Sequence, residues 1–440
     1  MPIFGSDGFR CKFGTSFLTK ESIVNFSKSL ASYYADEGFN KPIVIARDTR
    51  KSGEVIQDII IGILINSGIN VCLADILPTP GLSKIIQNGN FAFGCMITAS
   101  HNPHNDNGIK LLRGDGFKIN LRDQEKIESY MLKPQKDLNK NISNIGKIIN
   151  LDSCFVEYLD DLIENINPEH SEYKIIVDCA NGSNSYKLNR LSKINSMAFV
   201  SNKPNGHNIN LNCGALETTN LLVNLERSNA DFGVAFVGDG DRAVFVSKKY
   251  GLIETEKIAL LFFKIFKDRY ASKKVVTTEI SNLSFKHNLE ELGGELVETP
   301  VGDRFVIDSV LKYDALFGFE PSGHFYFPKL SNSMDGMASL LIFLKLLNSI
   351  HGLDDELYKI SQYSRVQKNY DISEQINIDE KIIKKTIMKL IDLTKEKIVI
   401  RKSMWDPVLR LYYDFIEEDN FPIIENHLLE TIDKLEVDEI

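Results

Sequence analysis

The chain has 440 residues, 43% of them hydrophobic and 25% charged, a balance that excludes collagen-like, coiled-coil and disordered architectures. One hydrophobic core rarely grows past about 250–300 residues, so several domains are expected. The net charge of −9, from 51 basic and 60 acidic side chains, repels nucleic acid and anionic lipid overall, although a local basic pocket for phosphate remains compatible with it.

The N-terminal MPIFGSDGFRC has no basic region ahead of an apolar stretch and does not read as a signal peptide. Thr19 is placed to cap a helix whose apolar positions Ile23, Val24, Phe26, Leu30, Tyr33 and Tyr34 recur at helical spacing. Ile43–Ala46 is a short strand entering RDTRKSG, Glu54–Ser67 reads as a helix, and Gly68 suits its C-terminal left-handed position. Phe91–Ile97 is a further strand that ends at TASHNPHNDNG. Strand-to-loop segments recur at Lys174–Ser183, Asp231–Arg242, Lys273–Ser281 and Ala315–His324. This order implies α/β domains with parallel pairing. The apolar run Ala338–Leu347 contains Lys345 and falls short of the ~18–20 residues that a membrane helix needs. From about residue 366 a Lys- and Ile-rich helix (Asp379–Leu393), the strands KIVIRK and VLRLYYDF and a last helix form an α+β pattern. Boundaries are set at 1–150, 151–248, 249–365 and 366–440. Six scattered cysteines without a CxxC pair read as reduced thiols. A cytoplasmic enzyme or binding protein without nucleic-acid or membrane partners is the expectation.

Ligands of open α/β sheets bind beyond the carboxyl ends of strands, which is where TASHNPHNDNG lies. That loop offers a hydroxyl nucleophile in Ser100, a proton carrier in His101 and, just after it, Lys110 to hold phosphate. By composition alone it reads equally well as a solvated Asn-rich surface loop. GDGDR sets Asp239 and Asp241 two residues apart beside Arg242; two hard oxygen ligands with a phosphate suit Mg²⁺. The same residues also read as an Asp-Gly turn between strands. FEPSGH adds Glu320, Ser322 and His324 around a tight turn.

Taken together and in order, these loops resemble those of the α-D-phosphohexomutases. TASHNPHNDNGIK is similar to that family's phosphoserine loop, FGSDGFR to its N-terminal active-site segment, and ARDTRKSG and LPTPG to its first-domain signatures. VDCANG, PNGHNIN and Cys213–Gly214 match the second domain, and ETPVGDRFV the third. GDGFK and VGDRFV resemble the phosphoglucosamine mutase branch most. The resemblance implies three similar α/β domains around a central cleft plus a C-terminal α+β domain. It implies phosphoryl transfer between Ser100 and a hexose phosphate through a sugar bisphosphate, which also acts as activator. Ser100, Asp239 and Asp241 would hold one Mg²⁺, with Arg10, Lys110, His101 and Arg242 around the transferred group. Arg304, Glu320, Ser322 and His324 would read the sugar, and Arg401, Ser403 and Arg410 would grip its other phosphate.

Three departures stand out. The family's metal loop reads DGDGDR, whereas Val237 occupies the first position here, so the magnesium site is expected to be weaker and to keep one more water. The fourth-domain loop, roughly RPSGTEP in the family, reads RKSMWDP, bringing in Met404 and Trp405. Phe319 replaces a Gly. Readings kept open are a phosphoglucosamine-type mutase, a phosphomannomutase or phosphoglucomutase, and a non-catalytic sugar-phosphate-binding relative, as monomer or homodimer.

Overall fold

Four sheets follow one another along the chain, and the loops at their edges carry the residues singled out above. The computed structural model describes residues 4–5, 8–133, 144–350, 352–372, 380–394, 397–402, 408–415 and 420–437.

The first sheet comprises β1 (Phe9–Lys12), β2 (Ile43–Arg47), β3 (Val71–Ile76), β4 (Phe93–Ile97), β5 (Asp106–Arg113) and β6 (Ile148–Asn150), in the order β1-β5-β4-β2-β3-β6. Strands β4, β2, β3 and β6 are parallel, while β5 and β1 run antiparallel at one edge. Helices α1 (Lys20–Asp36), α2 (Lys51–Asn66), α3 (Thr79–Asn88), α4 (Leu121–Met131) and α5 (Cys154–Ile166) accompany it. Thr19 caps α1 by accepting a hydrogen bond from Ser22 N at 3.1 Å, and Ile23, Phe26 and Leu30 line its buried face. Gly68, at φ +84°, follows α2 in the left-handed region. Helix α2 starts at Lys51, three residues before the sequence-based start, because Arg50 takes extended N-cap angles and the chain turns there at once.

The second sheet, ordered β11-β10-β9-β7-β8, contains β7 (Ile175–Asp178), β8 (Met197–Val200), β9 (Phe232–Phe236), β10 (Ala243–Ser247) and β11 (Gly251–Ile253), with α6 (Thr219–Arg227) beside it. The third follows α7 (Thr255–Phe266). It contains β12 (Lys274–Thr278), β13 (Glu295–Thr299), β14 (Phe317–Glu320) and β15 (His324–Tyr326), with α8 (Leu283–Glu291), α9 (Asp303–Tyr313), α10 (Gly336–Ser349) and α11 (Leu353–Lys359). Its order is β13-β12-β14-β15.

The largest apolar core runs continuously through the first three sheets, joined by α5, α7 and α10. The apolar run at 338–347 is therefore a core helix, with Leu340, Leu341, Phe343 and Leu344 fully buried. No single helix among the described residues is long and apolar enough to cross a membrane. Phe319, where the resemblance led us to expect Gly, packs in this core, stacked on Phe325 at 5.7 Å. All six cysteines are free thiols.

The fourth sheet is antiparallel, β16 (Ser364–Asp371), β18 (Val408–Phe415) and β17 (Lys397–Lys402), with α12 (Glu380–Thr394) and α13 (Phe421–Val437). It has its own core and joins the third sheet's loops through Asp414, which pairs with Arg365 at 2.6 Å and accepts from Leu283 N at 2.8 Å.

Candidate active site

Ser100 sits in the loop after β4 with φ +51°, a left-handed conformation that a residue with a Cβ adopts only when its surroundings enforce it. The enforcing groups come from RDTRKSG. Arg50 and Asp48, both with fully buried side chains, pair at 2.9 Å. The Arg50 guanidinium also donates to the carbonyls of Ser100 (3.0 Å), Asn102 (2.8 Å), Asp106 (3.0 Å) and Pro103, so each of its five N–H groups has an acceptor. On the other side, Ser100 N donates to Thr98 Oγ1 at 2.8 Å, and that hydroxyl donates to Asp48 Oδ2 at 2.7 Å. Asn210 of PNGHNIN adds a second donor to Ser100 O at 2.8 Å. The backbone is thus held from both ends, while Ser100 Oγ is buried without a hydrogen-bond partner.

The loop 237–242 is the turn of the β9–β10 hairpin, as the plain turn reading of GDGDR expects. A Cβ on Gly238 would meet Ser100 O at 2.8 Å, which is how closely the two loops approach. Lys110, buried on β5, spans the two carboxylates at 2.8 Å from Asp239 Oδ2 and 3.2 Å from Asp241 Oδ2. Thr79 of LPTPG fixes Asp239 by donating its hydroxyl to Oδ2 at 2.8 Å. Asp239 Oδ1 and Asp241 Oδ1 are left buried without hydrogen bonds, like Ser100 Oγ. Burial opposes ionisation of Asp241, but Lys110, His324 and Arg242 outweigh it and hold the carboxyl well below the usual carboxylate range. Two carboxylates, each with one oxygen lacking a hydrogen bond, and a serine oxygen form a hard donor set that fits Mg²⁺. Val237 contributes nothing to it: its side chain is 1% exposed in an apolar cluster with Ile176, Ala215 and Leu225.

His101 keeps a buried, unpartnered Nδ1. Burial, then the Arg242 and Arg10 charges, push its pKa down to about 4, so the imidazole is neutral near pH 7. Arg10 lies on β1 opposite Gly108. The third sheet approaches through His324, whose Nε2 accepts from Arg242 Nε at 2.9 Å and lies 3.4 Å from Asp241 Oδ1. Its Nδ1 is 2.7 Å from Glu320 Oε2 and 3.1 Å from the Ser322 hydroxyl. Burial and Arg242 disfavour the imidazolium, but Asp241 and Glu320 prevail and raise the His324 pKa. Glu320 Oε1 accepts from Gly302 N at 3.1 Å.

Ser100, His101, Lys110, Arg10, Asp239, Asp241, Arg242, Glu320, Ser322 and His324 therefore form one constellation drawn from three sheets. Arg304 stands differently, donating to Ile119 O at 2.8 Å beside the Lys118–Asp303 ion pair, a bridge between the first and third sheets. Arg401 and Arg410 face each other across β17 and β18 as a separate cationic pair on the fourth sheet. Ser403, Met404 and Trp405 lie outside the described residues. Arg50, Asp48, Thr98, Thr79 and Asn210 are the residues that sequence reasoning passed over. All five lie inside the motifs RDTRKSG, LPTPG, TASHNPHNDNG and PNGHNIN, which were their only signal.

Residues 1–137 match the family model "Phosphoglucomutase/phosphomannomutase, alpha/beta/alpha domain I", and residues 254–363 match domain III of the same series. A phosphoglucosamine mutase of Campylobacter hominis is 32% identical over 391 residues, covering 86% of this chain and 87% of the relative. One from Desulfotalea psychrophila is 30% identical over 446 residues, covering 98% of each. The chain belongs to the α-D-phosphohexomutase family. It is a phosphohexomutase resembling the phosphoglucosamine mutases, which are isomerases of carbohydrate metabolism. The family uses Mg²⁺ and a phosphoserine. Its fold is also that of solved phosphohexomutases. A phosphoglucomutase/phosphomannomutase family protein of Burkholderia thailandensis superposes with TM-score 0.83 at 19% identity, covering 99% of this chain and 98% of that one. The Aspergillus fumigatus N-acetylphosphoglucosamine mutase in complex with GlcNAc-6P and magnesium gives 0.65 at 16% identity, covering 93% of this chain and 99% of that one.

Proposed function

We propose that this phosphohexomutase is active, that its sugar is glucosamine phosphate, and that Ser100 carries the phosphoryl group. The supporting observation is the Ser100 oxygen itself, buried and unpartnered on a strained backbone, beside two carboxylates that each keep one bare oxygen. Phosphorylated Ser100 gives its phosphoryl group to the free hydroxyl of the bound hexose phosphate, and the Ser100 oxygen is released as the leaving group. The resulting bisphosphate turns over in the cleft, and Ser100 then accepts the other phosphoryl group. Such transfer depends on positioning and charge neutralisation more than on covalent activation.

Neutral His101, with its bare Nδ1, accepts the proton of the attacking hydroxyl. Arg10, Lys110 and Arg242 surround the transferred group with cations, and Glu320, Ser322 and His324 orient the sugar hydroxyls. Arg304 holds the first and third sheets at the width the sugar needs. Arg401 and Arg410, with Ser403, grip the phosphate that is not being transferred, which fixes the sugar through remote binding energy. Asp239, Asp241 and the Ser100 phosphate would hold one Mg²⁺, which would neutralise phosphate charge; with Val237 in place of a third carboxylate, the site would bind the ion more weakly. A sugar 1,6-bisphosphate primes Ser100.

The test is a coupled assay with glucosamine 6-phosphate, glucose 1-phosphate and mannose 1-phosphate, each with Mg²⁺ and the matching bisphosphate. The proposal expects the highest kcat/KM for the glucosamine substrate. A preference for glucose or mannose phosphate would reassign the sugar, and no turnover of any would leave a sugar-phosphate-binding relative.

A further inference from the structure

Away from the Ser100 constellation, a cavity of about 420 Å³ opens where the C-terminal ends of α5 and α7 meet the segment after β15 and the outer half of α10. Its volume falls within the range of small-molecule sites. The floor is apolar, formed chiefly by Phe266, Phe327 and Ile342. The rim is cationic. Arg269, Lys329 and Lys345 line it against a single carboxylate, Asp314, in a protein whose net charge is −9.

None of the three cations has an ion-pair partner among the described residues. The Lys345 ammonium donates to Ile166 O, and Lys329 lies over the Tyr270 ring at 4.0 Å. Lys345 is half-buried, and burial followed by the Arg269 charge lowers its pKa against the smaller opposing effect of Glu169. An apolar floor under a ring of unpaired cations is complementary to a molecule that is apolar at one end and anionic at the other. Bare inorganic phosphate would leave the floor wet, and an uncharged hydrocarbon would leave the cations unused.

We infer that this cavity is a binding site for an amphipathic organic anion, an aromatic or aliphatic body carrying a carboxylate, sulfonate or phosphate. The site is separate from the mutase cleft. Gly336, the first residue of α10, donates its N–H to Gly240 O in the metal loop at 3.1 Å, whereas Lys345 stands nine residues on, about 14 Å along the helix. Both ligands therefore bind at once.

The probe is 8-anilinonaphthalene-1-sulfonate, read by fluorescence on the full chain and compared with N-phenyl-1-naphthylamine, the same apolar body without the sulfonate. We expect one saturable sulfonate site per chain, not displaced by glucosamine 6-phosphate, with the uncharged analogue at least ten-fold weaker. Arg269→Glu with Lys329→Glu, both on exposed residues, should weaken the sulfonate at least ten-fold and leave mutase turnover unchanged. Lys345→Met, which keeps the apolar stem, should weaken it at least three-fold. Displacement by the hexose phosphate, equal affinity for the two probes, or unaltered affinity in both variants would each overturn the inference.

Discussion

Replacing Arg50 by lysine tests whether the guanidinium clamp sets the position of Ser100. Lysine keeps the charge but brings at most three donors, where arginine satisfies Asp48 and four loop carbonyls at once. At least two buried acceptors then lose their donor, at roughly 1–3 kcal/mol each. Removing the cation altogether, as in Arg50→Ala, also strands the buried Asp48 charge, for which a loss of about 3–5 kcal/mol is the usual scale. Arg50 is fully buried with every N–H on Asp48 or a loop carbonyl, so its effect on turnover is expected to come through the Ser100 loop. A misplacement of about 1 Å costs on the order of 100-fold in rate. Steady-state kinetics with glucosamine 6-phosphate should accordingly show Arg50→Lys losing about 100-fold in kcat with KM within about three-fold of wild type, and urea unfolding should show a lower midpoint. If Arg50→Lys keeps kcat within two-fold while its midpoint falls, the arginine supports the fold but does not position the serine, and the reasoning is refuted.

His101 should titrate near pH 4 in the unphosphorylated protein and rise once Ser100 carries a dianion, followed by NMR of its ring protons; a midpoint near 6.5 in both forms would contradict the burial argument. Because its folded pKa lies below the unfolded value of about 6.5, its contribution to stability is present above that pH and is lost as pH falls toward 4. Asp335 behaves oppositely. Burial pushes its carboxyl up to about 6, it caps α10, and it accepts a hydrogen bond from Tyr158 at 2.7 Å, so the folded state is favoured below pH 4 and this advantage fades as pH rises through 6. Asp335→Asn should raise the urea midpoint at pH 8 and leave it nearly unchanged at pH 4; no gain at pH 8 would count against it. Val237→Asp should lower the Mg²⁺ concentration for half-maximal activity while costing about 1–3 kcal/mol of stability, because the carboxylate enters an apolar cluster. An unaltered Mg²⁺ dependence would show that the third carboxylate is not what the site lacks.

The strands and helices were legible because their periodicity is strong and their caps are local: Thr19, Gly68 and the apolar runs at 43–46 and 91–97 each decide their element with nearby residues. The candidate site residues were legible for a different reason. Ser100, His101, Asp239 and Asp241 crowd into short loops whose spelling is itself distinctive. What could not be read was support across long separations. Arg50 and Ser100 are fifty residues apart and meet through backbone carbonyls, which leave no mark on side-chain identity. Thr79 opens α3, and Asp239 lies 160 residues later in the β9–β10 turn. The left-handed φ of Ser100 was equally hidden, since no glycine announces it. The hydrogen bond from Arg304, a motif residue expected at the sugar, to the carbonyl of Ile119 was equally unreadable from sequence.

The central claim is that Ser100 carries the phosphoryl group, and peptide-resolved mass spectrometry after treatment with glucosamine 1,6-bisphosphate and Mg²⁺ tests it most directly. One phosphate per chain is expected, on the peptide containing Ser100 and absent in Ser100→Ala, which should also lose turnover. Phosphate on another residue, or full turnover by Ser100→Ala, would contradict it.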